Sequence, residues 1–189
     1  MYRYRKSMGI DQSRKRNYYV NEKIQRLQSF GFTQSSIAEM TGVSRATLHN
    51  IASRKYLTSD WRLFEQLNDI QYMKAFETVQ DGHYVPAYPT VRRMQALSRI
   101  GWTNGAILEE LRAEGLEIYQ VKTWYRLTNH ILIENHSAME RVYDRLSLSP
   151  GPSNRARLAA QSKGWASPLS WDNILDPFER PKGLLNATQ

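Results

Sequence analysis

The chain contains no cysteine, which removes disulfide bridges, thiolate zinc sites and thiol nucleophiles together and fits a reducing cytoplasm. Long apolar runs are missing as well. No stretch approaches the roughly 18 uninterrupted apolar residues of a spanning helix, and the basic opening MYRYRKSMGIDQSRKRNYYV lacks the apolar segment of a signal peptide. Neither membrane insertion nor export is expected. Histidine is sparse, at positions 49, 83, 130 and 136, without metal-site spacing to carboxylates, and no phosphate-cradling glycine loop or nucleophile motif occurs. These absences argue against an enzyme and predict no metal, no cofactor and no small-molecule ligand. Acidic residues are also in deficit, 18 against 26 Lys and Arg, giving a net charge of +8 and a pI near 9.8. An anionic partner is implied. The excess is lopsided: residues 1–75 hold 13 basic and 6 acidic side chains, residues 76–189 hold 13 and 12.

What is present is concentrated in Gln34 to Ser53, QSSIAEMTGVSRATLHNIAS. Ile37, Val43, Leu48 and Ile51 supply the apolar residues that two crossing helices need, and Ala38 is small where the second helix passes closest. Gly42 fits the bend, which favours positive φ. Thr33 and Ser44 stand where N-caps belong. The pattern is that of a helix-turn-helix, the predicted core of an N-terminal four-helix domain over residues 18–80. Val20, Ile24, Leu27 and Phe30 mark a helix of about 18–30 before it, and Leu63, Phe64, Leu67, Ile70 and Phe76 mark one after it, opened near Ser59 or Asp60. Residues 1–17 read as a basic arm and 81–89, with two prolines and a glycine, as a linker.

The second half, 90–189, reads as an all-helical domain that repeats the first in degenerate form, making the fold class all-α. Leu27-Gln-Ser-Phe-Gly-Phe-Thr33 with Ile37 matches Leu97-Ser-Arg-Ile-Gly-Trp-Thr103 with Ile107 at an offset of 70 residues, and Thr47-Leu48 matches Thr123-Trp124 when six residues are added to the second turn. Leu108 replaces the small Ala38, and Glu109, Glu110, Glu114 and Glu117 lie where phosphates would be repelled. Thr90 is expected to cap the first helix of this domain. Met139, Val142, Tyr143 and Leu146 mark a later one, ended by the SPGPS turn at 149–153. In the Trp/Pro-rich tail, Trp165, Leu169, Trp171 and Ile174 are expected to fold back as a cap, because exposing them is unfavourable. Trp102 and Trp124 are expected in the core as well.

In a helix-turn-helix the second helix lies in the major groove of double-stranded DNA and the first crosses the backbone. Arg45, Ala46, His49, Asn50 and Ser53 are then the base-contacting candidates: Arg45 matches guanine O6 and N7, Asn50 matches adenine N6 and N7, and Ala46 admits a thymine methyl. Thr33, Gln34, Ser44, Thr47, Arg54 and Lys55 are the phosphate-contacting candidates, at helix N-termini or flanking the recognition helix. Further candidates are the arm residues Arg3, Arg5, Lys6, Arg14, Lys15 and Arg16 and, on the outer face of a third helix in the second domain, Lys122, Thr123, Tyr125, Arg126 and Asn129.

This order of parts, a basic arm, the helix-turn-helix at Gln34–Ser53, a Pro-containing linker, a helical second domain and the tail KGWASPLSWDNILDP, resembles the actinobacteriophage immunity repressors. The resemblance implies a cytoplasmic, DNA-associated repressor in a bacterial host that maintains lysogeny and superinfection immunity at short asymmetric operator-like sites. Two domains on one polypeptide also suit a monomer on a non-palindromic site, without a twofold axis. Two other classes fit the residues: the bipartite DNA-binding portion of a transposase or recombinase, and a phage packaging adaptor of small-terminase type.

Overall fold

A computed structural model describes residues 12–53, 65–67, 70, 72–77, 82–127 and 129–183, with side chains described from Tyr19 onward. The chain divides into two compact units, 1–78 and 79–189. Both are built mainly from helices, and the class is all-α; among the described residues one two-stranded ladder is the only sheet.

In the first unit, α1 (Gln12–Ser29) presents Val20, Ile24 and Leu27 to the core at helical spacing. It begins six residues before the expected start, so Arg14, Lys15 and Arg16 belong to helical backbone and not to an arm. Gly31, at φ 95°, ends it. Two eight-residue helices follow, α2 (Gln34–Thr41) and α3 (Arg45–Ala52), joined by Gly42, Val43 and Ser44. Ile37, Met40, Leu48 and Ile51 are buried between them and α1, whereas Val43 is half-buried. The single helix expected through Phe76 is interrupted: residues 65–67 are helical, Tyr72 and Met73 form a turn, and α4 (Lys74–Glu77) packs against α2. Ser59, Asp60, Leu63 and Phe64 lie outside the described residues.

The second unit opens with β1 (Tyr84–Pro86), where the sequence suggests a linker. Val85 is buried and pairs with Ile131 of β2 (His130–Leu132), antiparallel, with Tyr84 opposite Leu132 and Pro86 opposite His130. Burial of those aliphatic residues on a short ladder outweighs the turn signal of the two prolines, one of which sits at the strand end and the other in the first turn of α5 (Tyr88–Arg99). Thr90 therefore does not cap α5. It lies inside the helix, fully buried, with its hydroxyl 3.0 Å from Nδ1 of His136. Then come α6 (Asn104–Ala113), a 3-10 turn (Lys122–Arg126), α7 (Ile133–Leu146) and α8 (Asn154–Ser162). Met94, Leu97, Ile107, Leu111, Met139 and Val142 make the core.

The repeated segments share their local geometry bond for bond. Phe32 N–H donates to the Leu27 carbonyl at 3.1 Å and Trp102 N–H to that of Leu97 at 3.0 Å; Gly31 and Gly101 both have positive φ. Thr33 and Thr103 adopt nearly the same backbone angles, and each accepts from the amide three residues on, at 3.1 and 3.2 Å. The likeness stops at the next turn. Glu114 and Gly115 end α6, and the segment matched to α3 is the five-residue 3-10 turn, because the chain leaves it extended at Leu127 to enter β2. Trp124 is nonetheless buried, like its counterpart Leu48.

The tail is fastened by α5. The Arg92 guanidinium donates to the carbonyls of Ile174 (3.0 Å), Asp176 (2.7 Å) and Pro177 (3.1 Å) and stacks over Trp171 at 4.5 Å, while the Tyr88 hydroxyl donates to the Leu175 carbonyl. Leu175 is buried, but Leu169 is 82% exposed, and Trp165, Trp171 and Ile174 are half-buried, against the expectation that all four of the tail's large apolar residues pack inward. Trp102 is likewise half-buried, its indole N–H donating to Ser149 O at 3.0 Å.

Candidate nucleic-acid interface

The geometry of α3 follows from three local devices. Gly42 has φ 70° with open space where a Cβ would stand, so its backbone conformation rather than crowding requires glycine. Its amide donates to Ala38 O at 2.8 Å and closes α2. The Thr41 hydroxyl bridges the bend, donating to Ile37 O at 2.7 Å and accepting from Val43 N–H at 3.3 Å. Ser44 then opens α3, its Oγ accepting from Thr47 N–H at 3.2 Å and lying 2.8 Å from Thr47 Oγ1. The first-turn amides at both helix starts point along the helix axis with partial positive charge, which favours an anion there.

Leu48 and Ile51 fix the inner face of α3, which leaves Arg45, Ala46 and His49 exposed and Thr47 and Asn50 half-buried beside them. Ser53 is exposed at the C-cap, its hydroxyl donating to Asn50 O at 3.2 Å. Arg45 makes no ion pair among the described residues. Thr33 and Ser44 are exposed and Gln34 half-buried at the two helix starts. Since the oxygens of Thr33 and Ser44 already cap their own helices, a phosphate there meets the remaining first-turn amides and the Gln34 side chain. Arg3, Arg5, Lys6, Arg54 and Lys55 lie outside the described residues.

One supporting residue escaped the sequence reading. Asn21, buried on α1, donates through Nδ2 to Ile51 O at 2.8 Å and Ala52 O at 3.2 Å, satisfying carbonyls at the end of α3 that have no helical partner. A polar side chain between the core residues Val20 and Ile24 was the available signal.

In the second unit Lys122, Thr123, Arg126 and Asn129 are exposed, but they stand on the 3-10 turn and the approach to β2, not on an α-helix. Tyr125 does not point outward with them. Its hydroxyl donates to Asn104 Oδ1 at 2.8 Å and lies 2.6 Å from Ser98 Oγ, and its ring stacks on Trp165 at 5.0 Å. The carboxylates of α6 serve the unit's own packing. Glu114 binds Arg141 at 2.6 Å and Arg145 at 2.7 Å, and Glu110 binds Arg145 at 2.8 Å; the hydrogen bonds from Arg141 and Arg145 hold the Glu114 carboxyl below its ordinary range.

No group of three or more His, Cys, Asp or Glu side chains arranged for a metal occurs among the described residues, and none of their helices is long and apolar enough to cross a membrane. His136 is buried as a core residue: Arg93 can only donate, at 3.3 Å to Nε2, so Nδ1 carries the proton and donates to Thr90. No protein-family model, curated protein or solved structure matches the chain.

Proposed function

We propose that this protein is a sequence-specific double-stranded DNA-binding repressor of transcription, of the phage immunity type, acting as a monomer at short asymmetric sites in the bacterial cytoplasm. The observation that carries the reading is the exposed edge of α3. Arg45, Ala46 and His49, with Asn50 beside them, face away from the buried Leu48 and Ile51 on a helix capped at its start by Ser44 and held at its end by Asn21. A helix so presented fits the major groove, where an arginine fork and an asparagine amide discriminate bases. The basic excess of residues 1–75 supplies the long-range attraction. Repression is then steric, since an occupied promoter obstructs polymerase.

Selection of bound fragments from random duplex DNA tests the proposal. An asymmetric consensus is expected, bound at one chain per site, and a promoter carrying it should lose output when the protein is expressed. Failure to enrich any consensus sinks the reading, and a palindromic consensus bound by two chains sinks the monomer part of it. A ring-forming packaging adaptor would instead run in light scattering far above the 22.1 kDa of one chain.

A further inference from the structure

The second unit contains a cavity of about 500 Å³ whose lining includes Lys122, Arg126, Arg155 and Lys163 and no carboxylate. Over residues 76–189 charges nearly balance, so four cations around one opening are a local segregation of charge. The acidic partners are engaged elsewhere: Glu110 and Glu114 with Arg141 and Arg145, Glu140 with Arg93, Asp172 with Lys182. None of the four lining cations forms an ion pair among the described residues. Crowded like charges repel, and an anion between them relieves that repulsion.

The walls are ordered by their own bonds. Lys163 Nζ sits 4.5 Å over the Trp165 ring, which stacks on Tyr125, which is tied through its hydroxyl to Ser98 and Asn104. Gly105, in the first turn of α6, also lines the cavity. Its φ is not positive, and a Cβ there would meet only Thr103 Oγ1, at 3.9 Å. Neither strain nor crowding requires glycine, and glycine is a poor helix residue. What its bare backbone provides is close access to the amides of Asn104 and Gly105, which have no acceptor within the helix.

We propose that this cavity holds a phosphate of the nucleic-acid backbone, gripped by Lys122, Arg126, Arg155 and Lys163 with the first-turn amides of α6. This assignment rests on the DNA-binding reading above and gives the second unit its part in it. Arginine forks and lysine point charges suit phosphate oxygens. The Tyr125–Trp165 pair is already occupied by its own stacking and by Lys163, so it offers charge rather than a free face for a base, which favours a backbone phosphate over a free nucleotide.

The test uses the full chain and the duplex it selects. Lys122→Ala and Arg155→Ala should each weaken selected and unrelated duplexes by the same several-fold factor, flatten the dependence of log affinity on log salt by about 0.9 for each phosphate no longer neutralised, and leave the consensus unchanged. Gly105→Ala should bind DNA more weakly while its melting temperature stays the same or rises, a combination that a merely structural glycine would not produce. If all three variants keep wild-type affinity and salt slope while Arg45→Ala still alters the consensus, the cavity assignment is overturned and the DNA reading stands. If the unmodified chain binds no duplex, the DNA reading itself falls. Titration with adenosine monophosphate, followed at the Gly105 amide by NMR, separates the sources: displacement of the nucleotide by duplex supports the backbone assignment, and saturation that duplex does not disturb overturns it.

Discussion

Gly101 and Gly151 touch backbone to backbone: a Cβ on Gly151 would lie 2.3 Å from the carbonyl carbon of Gly101, and one on Gly101 would lie 2.6 Å from the carbonyl oxygen of Gly151. Two hydrogen bonds lock the two turns together, Gly151 N–H to Ile100 O at 3.0 Å and Ser153 N–H to Gly101 O at 3.1 Å. This seats the turn after α7 on the turn after α5. Gly151→Ala should therefore destabilise the protein by about 1–3 kcal/mol through overpacking against main chain that has nowhere to move. Urea unfolding measures it, and an unchanged midpoint would show that the two turns part easily.

Arg45→Ala should relax preference at one base pair, losing roughly 1–3 kcal/mol of discrimination there, because a bidentate contact to guanine is removed. Arg45→Lys should recover affinity but not the preference, since an ammonium cannot make the fork. Quantitative binding to a panel of single-base operator variants reads both. Equal losses on every sequence would assign Arg45 to the phosphates.

Asn21→Leu should cost about 1–3 kcal/mol of stability by leaving the Ile51 and Ala52 carbonyls unsatisfied in a buried position. The end of α3 should then exchange its amide hydrogens faster than the middle of α1. Loss of DNA affinity larger than the loss of folded protein is expected as well. Hydrogen exchange showing no change in α3 would remove Asn21 from the interface's support.

His136 provides a pH test. Burial, reinforced by the Arg93 charge, pushes its pKa down from 6.5 to about 3. The folded state therefore keeps the ring neutral where the unfolded chain protonates it. Stability from this group is complete above pH 6.5 and falls as the pH drops toward 3, by about 2 kcal/mol at pH 5. Glu140, Tyr143 and Asp144 of the same helix surround Arg93, with the Glu140 carboxylate hydrogen-bonded to it, and they titrate or screen in the same region. Comparison with His136→Gln isolates the histidine: the wild type should lose about 2 kcal/mol more between pH 7 and 5. Parallel losses in the two proteins would contradict a depressed pKa.

Much of the fold was legible in the chain because the signals were local. Thr33, Ser44 and Thr103 announce helix starts through a hydroxyl three residues from the amide it caps, Gly42 announces a bend through its φ, and the repeated Leu-x-x-x-Gly-x-Thr segments yield matching hydrogen bonds. Ile37, Leu48 and Ile51 were readable as one buried face by helical period alone, which also settled the side on which Arg45, Ala46 and His49 lie. The errors fell where a partner distant in sequence decides. Residues 84–86 look like a linker until Val85 meets Ile131. Residues 122–129 look like a third helix until the chain must enter that same ladder. Thr90 looks like a cap until His136 claims its hydroxyl. Arg92 carried no signal of its role, because three backbone carbonyls of the tail converge on it only once the tail has folded back.

Sequence by itself determined the helical class, the two helix starts around the bend, the duplicated turn and the outward set on α3, all consequences of bonds and periods spanning a few residues. Tertiary structure alone decided that Gly151 must be bare, that Asn21 ends α3, that the second unit trades a recognition helix for a strand pair, and that Lys122, Arg126, Arg155 and Lys163 gather around one cavity. Those outcomes depend on which distant backbone and charged groups come within a few ångströms of one another, a distance that spacing along the chain does not encode.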